Sequence, residues 1–184
     1  MNEASQPWLP VALKYGAILG VLTGLATIGA QMLQGNPLEP STSGAIIGMV
    51  IVFAMFLISL GFNYKAVVDF RDDLNGGWVN LGKAFLIGLV MYFVADMVAA
   101  VFNYIYLSFF LPDDVREAIQ DAVVQMEEQM ADAPAFLQKF TTRALESSLN
   151  PISAFVGPFI WIIWNAIKAL IMAAVTKKDK PVVV

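Results

Sequence analysis

Four long apolar runs dominate this sequence, and each is long enough to cross a lipid bilayer as a helix. They extend over residues 11–33, 44–62, 84–111 and 152–175, and a bilayer-spanning helix needs about 20 apolar residues. Only 14% of the residues are charged while 58% are hydrophobic, which leaves too few charges to cover a water-facing surface. We therefore predict an all-α membrane protein with four transmembrane helices, forming a single domain over residues 1–184.

Composition also excludes several classes of function. The chain has no Cys and no His, which removes thiol and imidazole catalysis and the usual zinc ligands. Its formal net charge is −4, whereas binding to nucleic acid requires a basic surface. We expect no enzymatic activity, no cofactor, no metal and no nucleic-acid partner. The expected partners are the lipid bilayer and either a membrane protein or a second copy of the chain.

The positions of Lys and Arg predict the orientation of the helices. Four spans place the N-terminus, the loop between the second and third runs, and the C-terminus on one side. Three basic residues, Arg116, Lys139 and Arg143, lie on the other side. The first side holds Lys14, Lys65, Arg71, Lys83, Lys177, Lys178 and Lys180. Because basic residues are enriched in cytoplasmic loops, we predict that both termini are cytoplasmic.

Residues 112–150, between the third and fourth runs, are predicted to form an extracytoplasmic helical insert. Pro112, Asp113 and Asp114 are typical of a helix start, Pro134 breaks the pattern, and a second helical pattern leads to Asn150. The apolar stripe of the first part either packs on the protein's own spans, which is favoured, or binds a partner helix. The stripe consists of Val115, Ile119, Ala122, Met126 and Met130.

Small residues predict close packing between helices. Gly16, Gly20 and Gly24 lie four residues apart on one face of the first run, and Gly44 and Gly48 repeat this spacing in the second. Such spacing lets another helix approach closely within a membrane. The sequence does not identify the partner helix, and packing within the same chain is the favoured interpretation.

Asp96 needs a partner because a carboxylate deep in a bilayer is costly. At a rise of ~1.5 Å per residue, Asp96 lies ~20 Å from Lys83 along its helix. By the same rise, Asn165 and Lys168 lie ~18 Å and ~14 Å from Lys177. These similar depths predict a polar cluster of Asp96, Asn165 and Lys168 that links the third and fourth spans.

Tyr92 and Asn103 share the stripe of Asp96 on the third helix and extend the predicted cluster. Two roles are open for it. The cluster could act as a proton or ion relay in a small carrier, or it could fix the register of two helices. The structural role is the simpler interpretation, since there is a single deep acid and no repeat with matched helix breaks.

Asp69, Asp72 and Asp73 form an acidic cluster in the loop between the second and third runs. Such a cluster can hold Mg²⁺ and, through it, a diphosphate group. An enzyme of this kind usually needs a second acidic cluster, which the predicted cytoplasmic side lacks. Because Arg71 lies among these acids, a solvated and self-neutralised helix end is the favoured interpretation.

Residues 64–88 have the sequence YKAVVDFRDDLNGGWVNLGKAFLIG. They belong to a resemblance to a known family that extends over nearly the whole chain. With residues 13–16 and Asn150-Pro151, they resemble a family of small four-span bacterial inner-membrane proteins, catalogued as a domain of unknown function (number four-one-nine-nine) and found mainly in Bacteroidetes-type bacteria. The most specific residues are Arg71, Gly76, Gly77 and Lys83.

The resemblance implies a multi-pass protein of the bacterial inner (cytoplasmic) membrane, but no catalytic residue. It also implies a loose link to the handling of polyprenyl-phosphate sugars or envelope glycan. Asp96 and Lys168 depart from the family pattern. Taken together, these features favour a non-enzymatic scaffold or accessory subunit of a membrane complex. The alternative is a small carrier or proton or ion relay that uses the buried cluster of Asp96 and Lys168.

Overall fold

The computed structural model describes residues 8–34, 42–129 and 150–180. These ranges are almost entirely helical. The helices are α1 (Trp8–Gln34), α2 (Thr42–Asp69), α3 (Leu81–Ile105), α4 (Asp113–Gln129), α5 (Gly157–Ile160) and α6 (Ile162–Thr176). A 3-10 turn, Pro151–Phe155, precedes α5. The prediction of an all-α protein is confirmed for this part of the chain.

Three helices are long and apolar enough to cross a membrane, and the bent pair that ends in α6 makes a fourth if it counts as one span. The second span is longer than predicted. The sequence places its end at residue 62, but α2 continues to Asp69 and then into a π-helical turn, Phe70–Leu74. The polar residues beyond position 62 stay helical because one face of this extension is buried at Asn63, Ala66 and Val67.

The fourth predicted span, residues 152–175, is not one continuous helix. Its first part, Pro151–Ile160, meets α6 at an angle of 43°. Asn150 caps the first turn, since its side-chain oxygen accepts a hydrogen bond from the Ile152 amide at 3.0 Å. Proline restricts the residue before it and cannot donate a hydrogen bond, so Gly157-Pro158 separates the 3-10 turn from α5, whereas the 43° bend itself lies three residues later, at Trp161.

α3 is the central helix of the described bundle. α1 runs parallel to it, because Gly16 faces Met91 and Gly24 faces Phe102. α2 and α6 run antiparallel to α3. α3 contributes more residues to the core than any other helix, among them Ile87, Met91 and Tyr92, and small residues such as Ala169 of α6 also belong to it.

One end of the bundle collects most of the basic residues, and we call it the basic end. It is formed by the start of α1, the loop 70–80 with the start of α3, and residues 176–180. The loop and the residues after α6 are joined by two backbone hydrogen bonds, at 3.0 and 2.9 Å, between Val79 and Lys178. This bridge holds the residues just after α6 against the loop between the second and third spans.

The first half of the predicted insert is helical, as α4. Val115 of its stripe is buried and Ile119 is half-buried, and the Arg116 guanidinium donates to the Leu107 carbonyl at 3.2 Å. Residues 130–149 lie outside the described ranges. The predicted break at Pro134 and the second half of the insert therefore remain predictions.

Candidate functional site

Asp96 of α3 and Asn165 of α6 meet inside the bundle. The Asn165 side-chain amide donates a hydrogen bond to Asp96 Oδ2 at 2.6 Å. Asn165 is only 3% exposed, so water competes little for this bond and its strength is close to that of a bond in a low-dielectric medium. The contact links the third and fourth predicted spans, as the similar depths of Asp96 and Asn165 predict.

Lys168 lies one turn from Asn165 on α6 and contacts Tyr92 rather than pairing with Asp96. Its ammonium is 4.1 Å from the centroid of the Tyr92 ring, which is a cation–π geometry. In the part of the chain that the structure describes, the ion pairs are Lys65–Asp69 and Arg71–Asp72. Lys168 and Asp96 interact electrostatically, but their charged atoms are too far apart to form an ion pair.

α2 also contributes to this site, which the sequence does not predict. The Tyr92 hydroxyl donates to the backbone carbonyl of Ser59 at 3.2 Å. One turn along α2, the fully buried Asn63 packs against Gly88, where a Cβ would lie 2.5 Å from Asn63 Nδ2. Asn63 is missed because the predicted span stops at residue 62. We call Ser59, Tyr92, Asp96, Asn165 and Lys168 the polar cluster.

A pocket of about 170 Å³ opens beside Asp96, at the interruption of the fourth span, and we call it the break pocket. Asp96 and Asn103 of α3 line one side, and Gly157, Pro158 and Trp161 line the other. Because a water molecule occupies about 30 Å³ of liquid, the pocket has room for about five. Asp96 thus borders both a buried polar cluster and a space large enough to hold water.

Asn103 does not bond to Asp96, although the two share a stripe of α3 and line the same pocket. Its side-chain oxygen accepts from the Gln31 amide of α1 at 3.5 Å. Thr27, one turn before Gln31, also lines the break pocket. Both α1 and α3 therefore contribute polar side chains to this region.

The glycines of α1 form its contact with α3. A Cβ on Gly16 would lie 2.7 Å from the Met91 carbonyl oxygen, and one on Gly20 would lie 2.6 Å from Val98 Cβ. Gly24 is equally close to Phe102. The partner helix that the sequence leaves open is thus in the same chain. In α2, Gly44 and Gly48 are both buried.

The loop residues of the basic end are tied together by hydrogen bonds. Arg71 bonds its neighbour Asp72 and also donates from Nη1 to the carbonyl of Thr176, the last residue of α6, at 3.2 Å. Gly76 and Gly77 have φ angles of 64° and 86°, which favour glycine. The Gly77 amide donates a hydrogen bond to the Arg71 carbonyl at 2.7 Å and closes the turn.

The acidic residues beside this loop do not converge. Asp69 accepts hydrogen bonds from the Tyr15 hydroxyl of α1 and from Lys65, the latter at 2.5 Å, whereas Asp72 pairs with Arg71. Within the described ranges, no group of three or more acidic residues is placed to hold a metal ion. The geometry therefore gives no support to the Mg²⁺ interpretation.

Lys83 lies in the first turn of α3, at the basic end. The Asn80 side chain accepts from the Lys83 amide at 2.8 Å and caps the helix. The Lys83 ammonium lies 5.4 Å from the centroid of the Trp8 ring of α1. Trp and Lys are residues that typically anchor a helix at a membrane–water interface.

The sequence profile of the family described as "Protein of unknown function (DUF4199)" matches residues 14–178. The match includes α1 from residue 14 onward, α2, α3, the loop at the basic end and the bent segment that ends in α6. Comparisons with curated proteins and with solved structures found no match. The resemblance noted in the sequence is confirmed, and this chain belongs to the DUF4199 family.

Proposed function

We propose that this chain is a multi-pass inner-membrane protein that relays protons, with Asp96 as its central group. The observation that carries the proposal is the break pocket, which brings water-sized space to a carboxyl group in the middle of an apolar helix. Acidic residues at this depth are costly, and they typically mark ion or proton pathways.

Polar side chains continue from Asp96 toward the basic end, which supports a relay. Along α3, Asp96, Tyr92 and Gly88 lie ~20, ~14 and ~8 Å from Lys83. The Lys168 ammonium lies against the Tyr92 ring, so the Tyr92 hydroxyl and Lys168 are at about the same depth. The Asn63 amide packs against Gly88, one turn closer to the basic end. A proton leaving Asp96 therefore meets the titratable groups of Tyr92 and Lys168 one turn along α3. The Asn63 amide, one turn further, cannot itself carry a proton and serves only as a hydrogen-bonding group.

The test is proton flux into liposomes that contain the purified full chain and a pH-sensitive dye. Asp96→Asn keeps an acceptor for Asn165 but cannot carry a proton, so flux is expected to fall to the level of empty liposomes. Asp73→Asn makes the same chemical change at an exposed position and serves as the matched control. Unchanged flux in Asp96→Asn would contradict the proposal.

The same variants separate a relay from a purely structural cluster. If Asp96 only fixes the register of α3 and α6, the asparagine variant melts at a lower temperature and its flux follows the amount of folded protein. If Asp96 relays protons, flux is lost while the melting temperature changes little. Wild-type liposomes that show no flux above protein-free liposomes would refute the proposal outright.

A second function, as an accessory subunit of a membrane complex, has support from α2. Its exposed apolar side chains include Met49, Val50, Val52 and Phe53, each between 62% and 70% exposed. These residues cover a wide arc that faces either lipid or a neighbouring membrane protein. Purification in mild detergent tests this function, since a subunit retains a stoichiometric partner or a second copy, whereas a clean monomer contradicts it.

We also propose four spans with residues 8 and 180 on the cytoplasmic side. The basic end supports this orientation, because the positive-inside rule places such residues in the cytoplasm. The chain contains no Cys, so one introduced cysteine is the sole labelling site. In spheroplasts, a membrane-impermeant maleimide should label Asp113→Cys but not Asp179→Cys, and the reverse pattern would contradict the orientation.

A further inference from the structure

A second pocket, of about 290 Å³, lies at the basic end and has no role in the proposed relay. Its charged lining residues are Lys83, Lys178, Lys180 and Asp179, so most of the charged side chains that line it are lysines. The amide side chains of Asn75 and Asn80 also line it. We call this cavity the basic-end pocket.

The segments that carry these lysines are held in place by the backbone. The two hydrogen bonds between Val79 and Lys178 join the loop to the residues after α6. The Asn75 side-chain amide donates to the Trp78 carbonyl at 2.5 Å and fixes the turn between them. A ligand therefore binds without ordering the backbone first, which removes a large part of the entropy cost of binding.

The position of the basic-end pocket suits a ligand from the membrane surface or from the adjoining water. Lys83 contacts the Trp8 ring at 5.4 Å, and the Lys178 ammonium lies 5.0 Å from the centroid of the Trp78 ring. Tryptophan rings are enriched at the level of lipid headgroups. The lysines of the pocket thus lie beside residues typical of the headgroup layer.

We infer that the basic-end pocket binds a phosphate group, because Lys83 and Lys178, from two segments of the chain, line one cavity together with two asparagine side chains. A phosphate monoester carries about −1.5 to −2 charges at neutral pH, which lysine ammonium groups neutralise. Lysine binds phosphate as a point charge, and the asparagine amides supply neutral donors. The volume is at the lower end of the range for small-molecule pockets, about 300–1,000 Å³.

The phosphate could belong to a lipid headgroup or to a water-soluble molecule, and two measurements distinguish these sources. Native mass spectrometry of the full chain in dodecyl maltoside, with dioleoyl phosphatidic acid or dioleoyl phosphatidylcholine added, tests the lipid source. Titration calorimetry with inorganic phosphate tests the soluble source. Preference for phosphatidic acid, or saturable binding of inorganic phosphate, supports the inference.

Two substitutions and a matched control locate the site. Lys83→Gln and Lys178→Gln are each expected to weaken binding about tenfold, the effect of losing one hydrogen bond to a charged group. Lys178→Gln leaves the backbone bridge to Val79 intact. Lys177→Gln removes the same charge from the neighbouring residue, which does not line the pocket, and should bind as the wild type does.

Two results would overturn the inference. The first is equal retention of phosphatidic acid and phosphatidylcholine together with no binding of inorganic phosphate. The second is equal weakening in Lys177→Gln and Lys178→Gln, which would reduce the effect to general surface charge. Melting curves identify any variant that fails to fold, and the comparison of the two lipids on wild-type protein decides the question without variants. Neither result depends on proton flux, so the phosphate site and the proton relay can each be refuted while the other stands.

Discussion

Replacing Gly20 with alanine tests the contact between α1 and α3 most directly. The added Cβ would lie 2.6 Å from Val98 Cβ and 2.7 Å from the Ala95 carbonyl oxygen. Non-bonded carbon atoms prefer separations of about 3.5–4.0 Å, so the helices must move apart by about 1 Å. Overpacking of this kind lowers the free energy of unfolding by about 1–3 kcal/mol.

Gly29 provides a matched control on the same helix. A Cβ at Gly29 meets no atom within 4 Å, so Gly29→Ala changes only the helix propensity, which favours alanine by about 1 kcal/mol. Gly20→Ala gains the same propensity, and the difference between the two variants therefore isolates the clash. We expect Gly20→Ala to be less stable than Gly29→Ala by about 1–3 kcal/mol.

The assay is equilibrium unfolding of the purified protein in detergent micelles by added dodecyl sulfate, followed by tryptophan fluorescence. Gly16→Ala should behave as Gly20→Ala does, because its Cβ would lie 2.7 Å from the Met91 carbonyl oxygen. Equal unfolding midpoints for Gly20→Ala and Gly29→Ala would refute the argument, since they would mean that the glycine face of α1 does not contact α3.

Two further predictions concern the loop at the basic end. Gly77→Ala should lower the free energy of unfolding by about 1–2 kcal/mol because of its positive φ angle, while Gly82→Ala, whose Cβ would make an ordinary contact with Asn80 Oδ1 at 3.7 Å, should change it little; equal effects would contradict the reasoning. Arg71→Gln removes the hydrogen bond to the end of α6, so the backbone amide of Lys178 should exchange faster with deuterium. An unchanged rate in hydrogen-exchange mass spectrometry would show that this bond does not hold the segment.

The sequence predicts the apolar helices well because length and lack of charge are properties of a single segment. The depth argument also brings Asp96 near Asn165, since both positions are counted along helices from basic residues at one end. It does not predict that Lys168 contacts the Tyr92 ring, because the rotation of each helix about its axis depends on all of its neighbours.

Other features depend on packing that no local pattern encodes. Ser59 enters the polar cluster through its backbone carbonyl, which has no sequence signature. The 43° bend at Trp161 and the pocket beside it depend on how the fourth span packs on α3. Lys178 follows the last helix in a short charged segment, and nothing there indicates pairing with Val79.

The bridge between Val79 and Lys178 has a consequence for how the protein is made. The ribosome synthesises Lys178 after all the membrane helices, so the loop at Val79 has no pairing partner until the last span has been made. The two hydrogen bonds therefore cannot form before that point, and they act as a clasp between the loop and the residues after α6. A protein truncated just after α6 would insert its helices but leave this clasp open, and a tag fused there would hold the clasp open in the same way.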